Sequence, residues 1–371
     1  MLRLKIVTII GARPQFIKAA PMQAALQKQA GLAHVLVHTG QHYDYAMSKV
    51  FFDELALPVP NYHLEVGSGS HGAQTARIME RLEPILQKEK PDWVLLYGDT
   101  NSTLAGALTA SKLHVPVVHV ESGLRSFNKA MPEEINRIVT DHVSTVLFCP
   151  TDVAVKNLEH EGFSLEMPKT PTADTPLVFN SGDVMYDAAL LSIAIAEQKS
   201  TILSTLGLTP KSYYLATIHR AENTDDRQPL ANLLEAFAQM DALVIFPAHP
   251  RTVERFKRFE LTPSQNVRVI SPVGYFDMLM LEKAARAILT DSGGVQKEAF
   301  FFQVPCVTLR RETEWVETVA TGWNRIVNNE PSVILNAVRK LTPGKAGTLP
   351  YGDGQAAHKI IECLLQCTNH R

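Results

Sequence analysis

The sequence predicts an α/β protein with two doubly wound parallel sheets in tandem. Short apolar, β-branched runs alternate with segments in which apolar residues recur at helical spacing, as in sheets that helices cover on both faces. The alternation stops at a proline-rich stretch and then restarts. The chain has 371 residues. Because domains average about 150 residues, this length favours two domains.

The first half supplies five predicted strands, which are LKIVTIIG, HVLVHTG, DWVLLYGD, VPVVHVES and TVLFCPT. Four predicted helices lie between them, namely IKAAPMQAALQKQ, QTARIMERLEPILQKE, TLAGALTASKLH and NRIVTDHVS. Turn residues bound each strand, and the helices keep a period of about 3.6 residues. This pattern indicates repeated strand–helix units of a parallel sheet.

The second half repeats this organisation after residues 164–183, where three prolines and few helix signals indicate a domain hinge. Its predicted strands lie in YYLATIHR, ALVIFPAHP, VRVISP, AARAILTDSGG and PCVTLRR. We therefore expect one domain in residues 1–175 and another in residues 176–352. The final helix, AAHKIIECLLQC, can pack on either domain.

Composition excludes several classes of partner and compartment. The net charge is −2 and no basic tract occurs, which argues against binding of nucleic acid or an anionic membrane surface. The four cysteines lack the spacing of a zinc site or a disulfide framework, as is typical of a reducing compartment. The sequence shows neither a signal peptide nor an apolar run of about 18 residues. We therefore expect a soluble cytoplasmic protein.

One glycine-rich segment resembles a cofactor motif but fails the test of context. GSGSHG, residues 67–72, matches the G-x-G-x-x-G pattern of dinucleotide sites. That pattern requires a strand directly before it, whereas PVPNYHLEV with its two prolines precedes it here. We predict a loop and no redox cofactor. The 13 histidines form no metal motif, so no metal is expected either.

Acidic residues follow two neighbouring predicted strands. Asp99 ends DWVLLYGD, and Glu121 follows VPVVHV. Open α/β sheets bind ligands at the carboxyl ends of their strands, so we expect these acids to face a site in the cleft between the domains. Glu133 and Arg137 lie four residues apart at the start of the next helix and share a face. The alternative for this pair is an exposed ion pair.

Basic residues surround the first predicted turn and one strand end of the second half. Arg13 and Lys18 of GARPQFIK flank a helix N-terminus, which favours a phosphate or diphosphate; the alternative is a solvated basic turn. His219 follows YYLATI and precedes Arg220. It could neutralise a leaving phosphate or donate a proton to it, although a lone histidine is more often structural.

A small-residue turn follows another strand of the second half. Ser292, Gly293 and Gly294 open a helix, and their N–H groups can cradle a diphosphate. Glu298, one turn further on, could accept both hydroxyls of a ribose. The alternative is a plain helix cap in which Asp291 or Ser292 does the capping.

The motifs as a set resemble the non-hydrolysing UDP-N-acetylglucosamine 2-epimerases. The matching segments are GARPQFIK, TGQH, GDTNST, HVESGLRS, MPEEINR, TIHRAEN and TDSGGVQKE, in order from residue 5 to about residue 310. The resemblance implies the GT-B fold, with two Rossmann-like domains facing a cleft, and a homodimer. It also implies that helix 353–371 packs on the first domain, that no cofactor is needed, and that a UDP-sugar for surface polysaccharides is the substrate.

The resemblance also implies roles for individual residues. The catalytic set would be Asp99, Glu121, Glu133, Arg137 and His219, and the substrate-binding set Arg13, Lys18, Ser292, Gly293, Gly294 and Glu298. In the implied mechanism UDP is expelled, a 2-acetamidoglucal forms, and UDP adds back with a proton on the opposite face of C2. Two faces need two proton-handling groups, which accounts for more than one acid.

The sequence departs from the common family pattern at three places. Gln15 replaces a frequent glutamate, the segment after Gln41 and His42 is unusual, and Trp315 of LRRETEW replaces a usual arginine. The second departure argues against activation by a second substrate molecule. Together these features resemble the branch that acts on UDP-2,3-diacetamido-2,3-dideoxy-glucuronate. A hydrolysing 2-epimerase, a GT-B glycosyltransferase and a non-catalytic sensor of UDP-sugars remain alternatives.

Overall fold

The computed structural model describes residues 4–41, 52, 55, 57–345 and 347–369. These residues form two parallel β-sheets with helices around them, which confirms the predicted α/β class. The chain divides into two compact units, Met1–Ala188 with Leu349–Arg371, and Ala189–Thr348. No helix among the described residues combines the length and the hydropathy needed to cross a membrane.

The first unit contains a seven-stranded parallel sheet in the order β3-β2-β1-β4-β5-β6-β7. Its strands are β1 (Leu4–Ile10), β2 (Leu32–His38), β3 (Tyr62–His63), β4 (Trp93–Tyr97), β5 (Val117–Val120), β6 (Val146–Cys149) and β7 (Leu177–Asn180). In the register, Ile6 of β1 lies opposite Trp93 of β4 on one side and His34 of β2 on the other. The strand order reverses between β1 and β4. This is the switch point at which open α/β sheets bind ligands.

In the part of the chain that the structure describes, the helices between the strands of this sheet are α1 (Arg13–Gln27), α2 (His71–Glu89), α3 (Asn101–Lys112), α4 (Pro132–His142) and α5 (Asp152–His160). The strands read as continuous apolar runs because helices cover both faces. In β1, for instance, Ile6, Val7, Ile9 and Ile10 are completely buried. Val7 and Ile9 share one hydrophobic cluster with Ile78 of α2.

The predicted hinge at residues 164–183 lies within the first unit. The apolar run Leu177–Asn180 forms β7, which pairs in parallel with β6 in register from Val146 opposite Leu177. The expected boundary between residues 175 and 176 would separate β7 from this sheet. The chain instead leaves the first unit within α6 (Val184–Lys199), after Ala188.

The second unit contains a six-stranded parallel sheet in the order β10-β9-β8-β11-β12-β13. The strands are β8 (Tyr213–Thr217), β9 (Leu243–Pro247), β10 (Val267–Ile270), β11 (Ala287–Thr290), β12 (Cys306–Leu309) and β13 (Asn324–Val327). Tyr214 and Ala216 belong to one hydrophobic cluster, and Tyr213 and Leu215 to another. Alternate side chains of β8 are thus buried on opposite faces, as a doubly wound sheet requires. Here the order reverses between β8 and β11.

The helices of the second unit are α7 (Ile202–Thr205), α8 (Ala221–Thr224), α9 (Arg227–Ala238), α10 (Pro250–Arg258), α11 (Tyr275–Ala284), α12 (Gly293–Phe301), α13 (Val316–Ala320) and α14 (Pro331–Arg339).

Two features singled out in the sequence, the cysteines and the glycine-rich segment, are also placed by the structure. The thiols of Cys149, Cys306, Cys363 and Cys367 are free and are all buried. GSGSHG, the segment that resembles a dinucleotide motif, is a loop at residues 67–70, and its last two residues begin α2. The strand before it, β3, has two residues.

The last helix, α15 (Ala356–Asn369), returns to the first unit, where it packs against α1. Buried Asp187 accepts hydrogen bonds from the N–H groups of Ala356 (3.1 Å) and Ala357 (2.8 Å). At the other end, the indole of Trp93 donates to the hydroxyl of Thr368 at 3.0 Å. The carboxylate of Asp187 therefore caps α15 from another helix, because the first N–H groups of a helix lack partners of their own.

Replacing Asp187 with alanine is expected to loosen α15. Loss of the cap leaves two N–H groups unpaired, which should lower the free energy of unfolding by about 1–2 kcal/mol. Amide exchange at residues 356–360, followed by mass spectrometry, should become faster than in the unchanged protein. Asp174→Ala, at an exposed position, is the matched control. Unchanged exchange in α15 would contradict the capping role.

Candidate active site

At the switch point of the first sheet, Gln15 joins the ends of β1 and β4. Its Oε1 accepts hydrogen bonds from the N–H groups of Gly11 (2.8 Å) and Ala12 (3.2 Å). Its Nε2 donates to the carbonyl of Tyr97 and to the hydroxyl of Thr103, each at 3.0 Å. A glutamate could not make the donation to a carbonyl unless it were protonated. The glutamine is therefore suited to hold the two strand ends together.

Lys18 of α1 and Glu121 at the end of β5 form a buried ion pair. Gly98, which follows β4, lies against this pair: a Cβ added there would stand 3.0 Å from Glu121 Oε2 and 3.1 Å from Lys18 Nζ. Gly98 has a φ of +62°, and Glu121 itself has a φ of +72°. Only glycine adopts the left-handed region without cost, so the conformation of Glu121 is strained. Two backbone segments thus turn sharply to bring this lysine and this carboxylate together.

Arg137 of α4 links two carboxylates. It forms an ion pair with Asp99 and donates from Nη1 to Glu134 Oε2 at 2.8 Å. Burial alone would lower the pKa of Arg137, but the charges of Asp99, Glu134 and Glu121 outweigh burial and raise this pKa. The negative charge of Glu121 therefore acts on the same guanidinium, and Lys18–Glu121 and Asp99–Arg137 form one charge cluster.

The alternative interpretation of Glu133 and Arg137, an exposed ion pair between them, is not found among the described residues. Among the described residues, the ion-pair partners of Arg137 are Glu134, three residues earlier, and Asp99. Glu134 is buried, and it accepts hydrogen bonds from the N–H groups of Ser126 (2.9 Å) and Phe127 (2.8 Å). Glu133 is half-buried on the first turn of α4. Both spacings allow an ion pair, so helix rotation decides which acid turns inward.

A buried charged histidine lies behind Gly98. His119 of β5 is completely buried; its Nδ1 is 2.6 Å from Asp141 Oδ1 and its Nε2 is 2.7 Å from the carbonyl oxygen of Gly98. Both partners can only accept, so both ring nitrogens carry protons and the ring is an imidazolium. Burial raises the pKa of Asp141, but the charges and hydrogen bonds of His119 and Arg125 lower it overall, so the carboxylate is ionised. His119 therefore fixes the turn that carries Gly98 and Asp99.

In the second unit, the carboxylate of Asp291 organises the turn after β8. Asp291 is completely buried at the end of β11. It accepts hydrogen bonds from the N–H groups of His219 (3.1 Å) and Arg220 (3.0 Å), and from Nδ2 of Asn223 (3.0 Å). The His219 ring is more than half exposed, with Nδ1 3.2 Å from Asp291 Oδ1. The sequence pattern identified His219 but missed the organising role of Asp291 and Asn223.

The small-residue turn at the start of α12 carries the backbone N–H groups of Gly293 and Gly294, whereas the N–H of Ser292 donates to Thr290 Oγ1 at 2.9 Å. Ser292 occupies the cap position, but its side chain makes no capping hydrogen bond, and Asp291 bonds to the β8 turn instead. The plain helix-cap alternative is therefore absent. Gly294 is exposed, and Gly293 lies at the start of the helix. An anion at this position would meet unpaired N–H groups at the positive end of the helix dipole.

Glu298 lies one turn into α12 and is buried beside two other polar side chains. The hydroxyl of Tyr275 is 3.5 Å from Glu298 Oε1. Glu282 is completely buried, and burial together with the charge of Glu298 raises the pKa of Glu282 well above its usual value. Glu298 therefore opposes ionisation of Glu282, and its own carboxylate is of the kind that accepts hydrogen bonds from hydroxyl groups.

The remaining predicted residues are placed as follows. Arg13 is exposed at the start of α1, and His42 lies outside the described residues. Within the part of the chain that the structure describes, no group of three or more His, Cys, Asp or Glu side chains is arranged to hold a metal ion. The predicted site residues therefore fall into two groups, one at the switch point of each sheet.

Comparison with known proteins gives a consistent result. The family profile of UDP-N-acetylglucosamine 2-epimerase matches residues 24–365. The chain is 51% identical to a UDP-N-acetylglucosamine 2-epimerase homolog of Methanococcus maripaludis and 50% identical to the UDP-2,3-diacetamido-2,3-dideoxy-D-glucuronate 2-epimerase of Pseudomonas aeruginosa, each over 97% of this chain and 99% of the relative.

A solved structure is also similar over nearly the whole chain. The UDP-GlcNAc 2-epimerase of Methanocaldococcus jannaschii, in complex with UDP-GlcNAc and UDP, superposes with a TM-score of 0.83. It is 43% identical, and the alignment covers 98% of this chain and all of that one. The likeness confirms the predicted fold of the GT-B type.

The protonation of His119 can be observed directly. We expect nuclear magnetic resonance of the protein with ¹⁵N-labelled histidine to show one imidazole that carries protons on both nitrogens at neutral pH, because both partners are acceptors. His119→Gln should remove this signal, whereas His358→Gln, at an exposed position, should leave it unchanged. A neutral tautomer of His119 at neutral pH would refute the assignment.

Proposed function

This chain belongs to the UDP-N-acetylglucosamine 2-epimerase family, and we propose that it inverts C2 of a UDP-N-acetylhexosamine without hydrolysis. The observation that carries the proposal is the charge cluster at the switch point of the first sheet. Lys18 pairs with Glu121 there, and Arg137 pairs with Asp99. Two carboxylates at one edge, each with its own cation, suit a reaction that moves protons on two faces of one carbon.

The chemistry requires that UDP leave before the proton does. No carbonyl adjoins C2 in the sugar ring, so the C2–H bond is not acidic at rest. When the bond between C1 and the phosphate oxygen breaks, UDP takes the electron pair and C1 gains cationic character. A carboxylate then accepts the proton from C2, and a C1=C2 double bond forms. This intermediate is a 2-acetamidoglucal.

The return step restores all atoms. A proton is delivered to the opposite face of C2, and the phosphate oxygen of UDP forms the bond to C1 again. We propose Asp99 and Glu121 as the two proton-handling groups, since each has a cation that can balance the change in its charge. Glu133 remains a proposed third acid, and Arg137 acts by holding Asp99.

We assign the nucleotide to the second unit. The diphosphate would accept hydrogen bonds from the N–H groups of Gly293 and Gly294 at the start of α12 and from the hydroxyl of Ser292. His219 and Arg220, which Asp291 holds after β8, would balance the charge of the leaving diphosphate. Glu298 would accept the ribose hydroxyls. In the first unit, exposed Arg13 is a further candidate contact for phosphate.

A second candidate substrate is the diacetamido uronate. The 50% identity to the Pseudomonas aeruginosa enzyme supports it, together with Trp315 in LRRETEW. The chemistry at C1 and C2 would be the same, because the C3 and C6 substituents do not take part in it. We further propose a cytoplasmic homodimer that supplies sugar nucleotides for surface polysaccharides.

Proton magnetic resonance in heavy water should separate these functions. With UDP-GlcNAc, we expect UDP-ManNAc with deuterium at C2, because the returning proton comes from a group that exchanges with solvent. Conversion of UDP-2,3-diacetamido-2,3-dideoxy-glucuronate alone would assign the second substrate instead. Release of free UDP with a free sugar would identify a hydrolysing enzyme. Binding of UDP without turnover of either sugar would refute the proposed reaction.

Replacement of each proposed acid should remove turnover but not the fold. We expect Asp99→Asn and Glu121→Gln each to lower the turnover number by about 10² or more, because neither amide can accept the proton. UDP affinity by calorimetry should remain close to that of the unchanged protein. The melting temperature should fall, most in Glu121→Gln, because buried Lys18 loses its partner. Circular dichroism at the assay temperature should still show a folded chain. Asp174→Asn and Glu159→Gln, at exposed positions, are the matched controls. Wild-type rates in either test variant would exclude that acid from the chemistry.

A further inference from the structure

Trp315 carries a buried hydrogen-bond donor for which the described residues offer no acceptor. The residue lies between β12 and α13, and only 9% of its surface is exposed. Its indole Nε1 is inaccessible to solvent and has no hydrogen-bond partner among the described residues. A buried N–H without a partner destabilises a folded protein, so such a group calls for a specific explanation.

Neighbouring groups hold Trp315 in place. Its backbone N–H donates to Thr313 Oγ1 at 3.2 Å, and its carbonyl accepts from Thr318 Oγ1 at 2.7 Å. The ammonium of Lys297, which is also buried, lies 4.2 Å from the centre of the ring system. This is the distance of a favourable cation–π contact. The ring is therefore fixed, and the N–H cannot turn to another acceptor.

The N–H borders the start of α12, where the second unit is assigned its diphosphate. A Cβ added to Gly293 would stand 3.3 Å from Trp315 Nε1 and 2.9 Å from Glu314 Oε1. Glycine at this position therefore lets the indole N–H of Trp315 and the carboxylate of Glu314 approach the first residue of α12 closely. α12 is nine residues long, so it has a full N-terminus with unpaired N–H groups of its own.

We propose that the indole N–H of Trp315 donates a hydrogen bond to a non-bridging oxygen of the nucleotide diphosphate at the N-terminus of α12. The inference rests on the proposed function, because UDP supplies the acceptor. Glu314 Oε1 also lies close to Gly293, and Arg310 Nη1 donates a hydrogen bond to Glu314 Oε2 at 2.9 Å. The negative charge of the diphosphate repels the Glu314 carboxylate, so this half-exposed side chain moves aside when the ligand binds.

Phenylalanine would preserve most of the packing at this buried position. A phenyl ring can also lie over the Lys297 ammonium and fill most of the same volume, but it has no N–H. Trp315→Phe therefore removes the N–H donor together with part of the ring volume. Trp323→Phe makes the same change in ring size at another buried position and controls for the lost volume.

Calorimetry with UDP and with uridine should test the role of Trp315. We expect Trp315→Phe to bind UDP about ten- to a hundredfold more weakly, the usual effect of losing a hydrogen bond to a charged acceptor, and to bind uridine as before. Trp323→Phe removes another buried indole of the second unit and should leave both affinities unchanged. Addition of UDP should also shift the indole N–H resonance that is missing from the Trp315→Phe spectrum.

The outcomes separate this inference from the proposed function. Equal UDP affinities of the variant and the unchanged protein would refute the hydrogen bond while leaving the epimerase proposal intact. An equal loss with UDP and uridine would also refute it, since the indole would then act on the nucleoside. Failure of the unchanged protein to bind UDP at all would refute the proposed function and the inference with it.

Discussion

Helices cover both faces of each parallel sheet, and the position of every candidate chemical group depends on this burial. A charged side chain within a strand that is covered on both faces would be buried away from solvent, which is energetically costly. Charged residues are therefore found beyond the ends of such strands. β4 is entirely apolar and buried, and Asp99 appears two residues after it ends. Glu121 follows β5 and Asp291 follows β11 in the same way. Asp99, Glu121 and Asp291 therefore all lie at the carboxyl ends of buried strands.

His119 is the exception within β5, and a network of charges makes it tolerable. The imidazolium is paired with Asp141, which also accepts from Arg125 Nη1 at 2.7 Å. Arg125 in turn donates to both carboxylate oxygens of Glu161, at 2.6 and 2.7 Å. Breaking one partner of such a buried set leaves an uncompensated charge, which is strongly destabilising. The network therefore fixes β5, α4 and the turn at Gly98 relative to one another within the first unit.

Each unit fixes the backbone of a turn at its switch point by hydrogen bonds from or to a buried side chain, but the side chains differ. In the first unit, the turn next to the acids is held by a histidine side chain that donates to the Gly98 carbonyl. In the second, the carboxylate of Asp291 accepts from the backbone of His219 and Arg220. Both devices fix backbone at a switch point, so that neighbouring side chains are preorganised for a ligand rather than ordered by it. The strained φ of Glu121 is a further sign that this backbone is fixed, because such strain persists only where the surrounding structure enforces it.

The sequence by itself determined ten of the described strands, the positions where these strands end and the polar residues that follow them; it did not predict β3, β7 or β13. These features depend on local spacing, which is why Asp99, Glu121, His219 and the turn at Ser292 could be identified without coordinates. Tertiary structure alone decided which groups meet. The rotation of α4 about its axis places Glu134, and not Glu133, against Arg137. Residues 177–180 belong to the first sheet because they pair with β6. Tertiary structure also set Trp315 beside Gly293, because a contact across more than twenty residues depends on packing that no local pattern encodes.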